Sequence, residues 1–183
     1  MKPGNQPDDA ASDALALLTA DHAKLTTLFR QFASLRGQDD ADRPRAELVE
    51  QMCTTLTLHG MLEEEIFYPA LRQAMDDEDL VDEADVEHAN VLELIGQLEI
   101  MAPGDDLYEA AVTALGEEVE HHIAHEEGPM FDAARRAGID LAALGAQLAA
   151  RQAELAAALS APPARIDALA PHAGARRQPQ APD

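Results

Sequence analysis

One phrase occurs twice in this chain: His59-x-x-x-Glu63-Glu64 returns as His122-x-x-x-Glu126-Glu127. A single histidine precedes each copy, His22 before the first and His88 before the second. Four residues make about one turn of helix, so each His shares a helix face with the Glu that follows it. Two such faces and two further histidines form a nitrogen and oxygen donor set. It suits a pair of iron or manganese ions inside a helical bundle. A chain that brings these residues together must be helical and must align four helices at one height.

Apolar spacing supports this. Leu15, Leu18, Leu25, Phe29 and Phe32 flank His22, and Met52, Leu56, Leu62 and Ile66 flank His59. Val81, Val91, Leu92, Ile95 and Leu98 flank His88, and Leu115, Val119 and Met130 flank His122. The steps are three and four residues, the period of one helix face, so each histidine points into the bundle. Strand-like alternation is almost absent. The fold class expected is all-α, an up-down-up-down four-helix bundle over 12–138. Its helices are expected at 13–35, 44–74, 80–101 and 107–136. Ser12 is a candidate N-cap, Pro44 sits in a first turn, Asp106-x-x-Glu109 resembles a capping box, and Gly37 and Gly138 follow helix ends. An accessory, alanine-rich helix is expected at 141–159, within 139–160. The first eleven residues and the Pro/Ala/Arg tail at 161–183 read as disordered. His172 lies in that tail and is set aside as a ligand.

The duplication extends past the ligands. Tyr68 and Phe131 hold the same place after each His, followed by Ala70-Leu71-Arg72 and Ala133-Ala134-Arg135. The chain reads as a two-helix hairpin repeated, with the metal site on the pseudo-twofold axis. Pro69 and Pro129 are expected to kink their helices just beyond the ligands.

Composition narrows the function. The 183 residues carry a net charge of -22 and a pI near 4.4, which argues against nucleic acid and anionic membrane partners. The chain has no run of about 18 apolar residues that would span a membrane. With a polar start and one cysteine, Cys53, it is expected to be cytoplasmic. The acidic run from Asp76 to Glu87 reads as a solvated loop and helix start. A metal-entry funnel is the sharper alternative for it.

A buried Glu costs several kcal/mol unless it is paired or binds a cation. Glu63 and Glu126, on diagonal helices, can bridge two ions while two histidines bind each. A closed tetrahedral zinc site fits about six such donors less well.

At these residues the chain resembles the hemerythrin-like (HHE cation-binding) family, over about residues 13–136. The matching pieces are Asp21-His22 with Leu28-Phe29, His59-Gly60-Met61-Leu62-Glu63-Glu64-Glu65-Ile66-Phe67-Tyr68-Pro69, Glu87-His88, and His121-His122-Ile123-Ala124-His125-Glu126-Glu127. The resemblance implies a di-iron centre with an oxo or hydroxo bridge. His22 and His59 would serve one iron, His88 and His122 the other, with Glu63 and Glu126 bridging. The invertebrate oxygen carriers have a further histidine where this chain has Leu92, and an Asp five residues after the last His rather than Glu at four. The match is therefore to the bacterial branch, and one iron is expected to be more open.

His121 and His125 read as flanking or second-shell, with His125 the alternative fifth ligand. Glu64 and Glu127 are expected to face outward or to support the ligands. Tyr68 and Tyr108 are expected to pack. Cys53 reads as a small core residue.

The function expected is binding of dioxygen, hydrogen peroxide or a similar small ligand, for sensing, storage or scavenging, in a monomer or homodimer. Three rival readings stand beside it: catalase-like peroxide decomposition, an iron-handling or stress protein, and a metal-free helical interaction module.

Overall fold

The computed structural model describes residues 13–38, 40–75 and 78–160. The ends expected to be disordered, and Ser12, lie outside that set. Among the described residues every regular element is helical, and five rods are seen. The first is α1 (Ala14–Ser34). The second is α2 (Asp42–Leu62), which runs through a π-helical turn, π1 (Glu63–Phe67), into α3 (Tyr68–Ala74). The third is α4 (Asp79–Glu99). The fourth is α5 (Tyr108–His125), which runs through π2 (Glu126–Met130) into α6 (Phe131–Ala137). The fifth is α7 (Leu141–Ser160).

The rods end where local chemistry stops them. Asp13 caps α1, its Oδ1 accepting from the Ala16 N–H at 2.9 Å. Gly138 closes α6 with a φ of 72°, a left-handed conformation that glycine adopts without strain. The expected capping box at Asp106 is not formed. α5 starts at Tyr108 with no side-chain cap, and Glu109 instead approaches Arg36 and Arg45, each at 3.9 Å.

Two apolar clusters fix the directions of the rods. One gathers Leu15 and Leu18 from the start of α1, Leu62 to Leu71 from the end of the second rod, Val81 and Ala84 from the start of α4, and Met130 to Ala134 from the end of the fourth. The other gathers Leu25 to Phe32, Val49 to Leu56, Val91 to Leu98 and Tyr108 to Val119. Starts of the first and third rods thus meet ends of the second and fourth, which is the up-down-up-down order. The four key histidines fall between the two clusters along every rod.

α7 is part of the core. Leu144 and Leu148 are buried in the first cluster, and α7 lies chiefly against α1. Arg151 forks onto both oxygens of Glu65 at 2.7 and 3.2 Å. Leu148→Ala should therefore cost about 2–5 kcal/mol of stability, read by chemical denaturation. A cost near zero would mean that α7 is dispensable. No helix among the described residues is long and apolar enough to cross a membrane.

Candidate metal centre

Both π turns begin at the repeated glutamates. The Tyr68 N–H donates to the Glu63 carbonyl, and the Phe131 N–H donates to the Glu126 carbonyl, each five residues back rather than four. The sequence supplies the cause. Pro69 and Pro129 have no N–H to give, so the α-helical ladder is broken just there. Gly128, with φ -90° and ψ -105°, absorbs the remaining distortion in π2. The expected proline kinks are thus wide turns, a form often found at functional sites.

Each turn swings its carboxylate fully inside, and Glu63 and Glu126 are 0% exposed. Donor atoms of His22, His59, Glu63, His122 and Glu126 all lie within 4.8 Å of one another. His22 Nε2 is 3.1 Å from His59 Nε2 and 3.3 Å from Glu126 Oε2. The two oxygens of Glu63 divide between the histidines. Oε1 is 3.1 Å from His59 Nε2, and Oε2 is 3.3 Å from His88 Nε2 and 3.8 Å from His122 Nε2. His122 Nε2 also lies 3.6 Å from Glu126 Oε2. Both oxygens of Glu63, Oε2 of Glu126 and Nε2 of His122 are buried with no hydrogen-bond partner. Such a group of orphaned acceptors is costly without a cation among them, and the donor chemistry fits iron or another divalent ion.

An outer ring of acids faces the ring nitrogens turned away from the centre. His22 Nδ1–H donates to Glu127 at 2.9 Å, His88 Nδ1–H to Glu64 at 3.0 Å and His122 Nδ1–H to Glu87 at 3.0 Å. His59 Nδ1 lies 3.9 Å from Asp21, a contact without a hydrogen bond. A carboxylate on Nδ1 leaves Nε2 as the inward lone pair, the tautomer a metal ligand needs. The ring keeps the duplication's symmetry. Glu64 of the first copy supports His88 of the second half, and Glu127 of the second copy supports His22 of the first.

The charges are strongly coupled. Burial alone would weaken proton binding at His122, but Glu63, Glu87 and Glu126 outweigh it and push the pKa up to about 10. His22 and His88 are raised too, burial being overcome by Glu126 and by Glu63 respectively. Burial also opposes ionisation of Glu63, yet His59, His122 and His88 hold its carboxyl well below the usual range. Glu126 is raised, by burial and then by the charge on Glu63, which its histidine partners only partly offset.

A histidine raised in the folded state stabilises the fold fully below its unfolded pKa and loses that contribution as pH climbs through the folded value. The metal-free protein should therefore lose stability between pH 6.5 and about 10. Metal affinity should rise over the same window, because each imidazole must release its proton to bind. Thermal melts of chelated protein against pH, with proton release measured during metal titration, test both trends. A metal-free midpoint that climbs over that window would contradict the assignment.

A family model of the hemerythrin HHE cation binding domain matches residues 13–134. The chain belongs to this family. Among solved structures it is similar in fold to a hemerythrin HHE cation-binding domain-containing protein from Mycobacterium kansasii. The two are 24% identical with a TM-score of 0.69, and the likeness covers 80% of this chain and 89% of that one. Among curated proteins it is similar to a DNA nickase from Nostoc sp. (strain PCC 7120 / SAG 25.82 / UTEX 2576), at 28% identity over 119 residues. That match is 65% of this chain and 32% of the nickase, so the chain spans about a third of that relative's length.

Within this HHE domain, His22, His59, Glu63, His122 and Glu126 lie together, and His88 joins them through Glu63. His121 and His125 do not face the centre. His121 Nδ1 lies 2.9 Å from Glu87 and His125 Nδ1 3.3 Å from it.

Tyr68 departs from expectation. Its O–H donates to Glu126 Oε1 at 2.9 Å and lies 3.2 Å from His88 Nε2, so it reaches the site. Nine steps of an α-helix place it roughly 180° from His59, but the extra residue in π1 turns it back by roughly 100°. Burial and the Glu63 and Glu126 carboxylates raise its pKa far above the ordinary phenol range, so in this state it holds its proton. Its counterpart Phe131 stacks on His22 at 6.3 Å between centroids. The pseudo-twofold is therefore broken at this pair of residues. Glu87 was also missed as a supporting group. Its signal was an acid directly before His88, matched by Asp21 before His22.

Proposed function

We propose that this HHE domain holds two iron ions and binds a small ligand such as dioxygen or hydrogen peroxide, for sensing, storage or scavenging. The observation that carries the reading is the division of Glu63. One oxygen faces His59, beside His22, and the other faces His88 and His122. Such a division suits a carboxylate that would be shared by two metal ions, His22 and His59 holding one and His88 and His122 the other. Glu126 Oε2, placed between His22 and His122, supports a second span. Iron would supply an open coordination position and reversible one-electron chemistry. The protein's own residues would fix the imidazole tautomers, keep bulk water out and present the Tyr68 O–H on the His88 side. DNA nicking by the Nostoc relative is not carried over, since this chain matches a third of it and carries a charge of -22.

Metal analysis with an optical spectrum tests the reading. About two irons per chain and near-ultraviolet bands of an oxo bridge are expected. Iron near zero after anaerobic reconstitution would overturn it.

A further inference from the structure

A second group of acids and imidazoles lies outside the donor set, against its edge. Glu83 and Glu87 stand one turn apart on α4, and His121 and His125 stand one turn apart on α5. The two faces meet. Glu87 Oε2 accepts from the Nδ1–H of both His122 and His125, at 3.0 and 3.3 Å. One carboxylate oxygen therefore braces an imidazole of the centre and an imidazole beyond it. In the neutral His125 ring Nε2 then carries the lone pair, and it lies 3.6 Å from Glu83 Oε2. The His125 side chain is 8% exposed, and its Nε2 is buried with no hydrogen-bond partner. Glu83 is 58% exposed, so the pair meets solvent through it. We propose that Glu83 and His125 form an outer site for one divalent transition-metal ion, reached past Glu83, with water completing its coordination.

The geometry separates this pair from an ordinary surface ion pair. A carboxylate on Nδ1 fixes the ring and turns Nε2 to its partner, the arrangement that orients imidazole ligands on metals. Glu87 does for His125 what it does for His122. Two ligands of a tetrahedral ion, with bonds of about 2.1 Å, stand about 3.4 Å apart, so an ion fits the pair with little movement. Without one, the buried His125 Nε2 is a costly acceptor that faces another acceptor. An imidazole with a carboxylate suits ferrous, manganous or zinc ions and not the all-oxygen preference of calcium. Other acids of the same run are committed elsewhere, since Asp82 and Asp85 each accept from Arg72 at 2.8 Å. His121 Nδ1 lies 2.9 Å from Glu87 Oε1 and stays outside the pair.

The test soaks crystals of the full-length chain in cobalt(II) and maps its anomalous scattering. A peak at bonding distance, about 2.0–2.3 Å, from both His125 Nε2 and Glu83 is expected, and it should vanish in Glu83→Gln. The map separates this position from any ion in the donor set, so the result holds whatever the centre binds. No peak at the pair, or one that persists in Glu83→Gln, would overturn the proposal. In solution, calorimetric titration with cobalt(II) should show this class of site weakened by at least about tenfold in Glu83→Gln and in His125→Gln. Asp82→Asn removes the same charge one residue away and should leave it within about twofold, because exposed charges that coordinate nothing are largely screened. Equal weakening in Asp82→Asn would mean diffuse attraction to an acidic face and would overturn the site.

Discussion

Loading with ferrous iron should raise the thermal unfolding midpoint by about 10 °C, and a chelator should remove the gain. The metal-free centre concentrates four orphaned buried acceptors, including both oxygens of Glu63, in one place. The unfolded chain gathers no such set, so binding energy becomes folding energy. Metal at about a thousand times its dissociation constant adds about 4 kcal/mol, and each kcal/mol moves the midpoint of a chain this size by about 2–4 °C. Scanning calorimetry with and without chelator reads the difference directly. A midpoint indifferent to iron and to chelator would sink the metal reading.

Glu126→Gln and Glu63→Gln should each reduce iron uptake below two per chain, yet shift the stability of the metal-free protein by very different amounts. Glu126 is raised because its burial and the charge on Glu63 work against its ionisation. Its neutralisation relieves that repulsion and leaves the amide oxygen to accept from Tyr68, but it also removes a counter-charge of His22 and His122, so the metal-free fold should change by no more than about 1 kcal/mol. Glu63 is the counter-charge for His59, His122 and His88. Neutralising it takes the inner partner from His88 and His122, whose raised pKa values depend on it, at a cost of about 3–5 kcal/mol. Denaturation of the two chelated variants separates them. Equal effects would mean that the two carboxylates are equivalent, against the asymmetry that Tyr68 introduces.

Much of this was legible in the chain itself. The spacing of His22, His59, His88 and His122 within apolar stripes gives four rods and a common height, because a helix face repeats every three or four residues. Glu63 and Glu126 follow from the same turn arithmetic. That arithmetic failed at Tyr68, since it assumes an unbroken α-helix and π1 adds a residue. Pro69 announced a break but not its kind, because a proline removes a donor without saying how the carbonyls regroup. The run that ends at Glu87 looked like a solvated acidic face. Asp82 and Asp85 do face outward to Arg72, while Glu87 turns in to His122, a choice made by tertiary packing.

The reciprocal bracing of His22 by Glu127 and of His88 by Glu64 bears on the order in which the molecule comes together. Neither hairpin alone carries the acids that orient the first imidazole in its own sequence. An isolated half therefore offers an incoming ion at least one unbraced ring and a weaker grip. On the di-iron reading, closing the two halves on each other and capturing the ions would be one event, and a newly made chain would hold iron firmly only once its last bundle rod had docked.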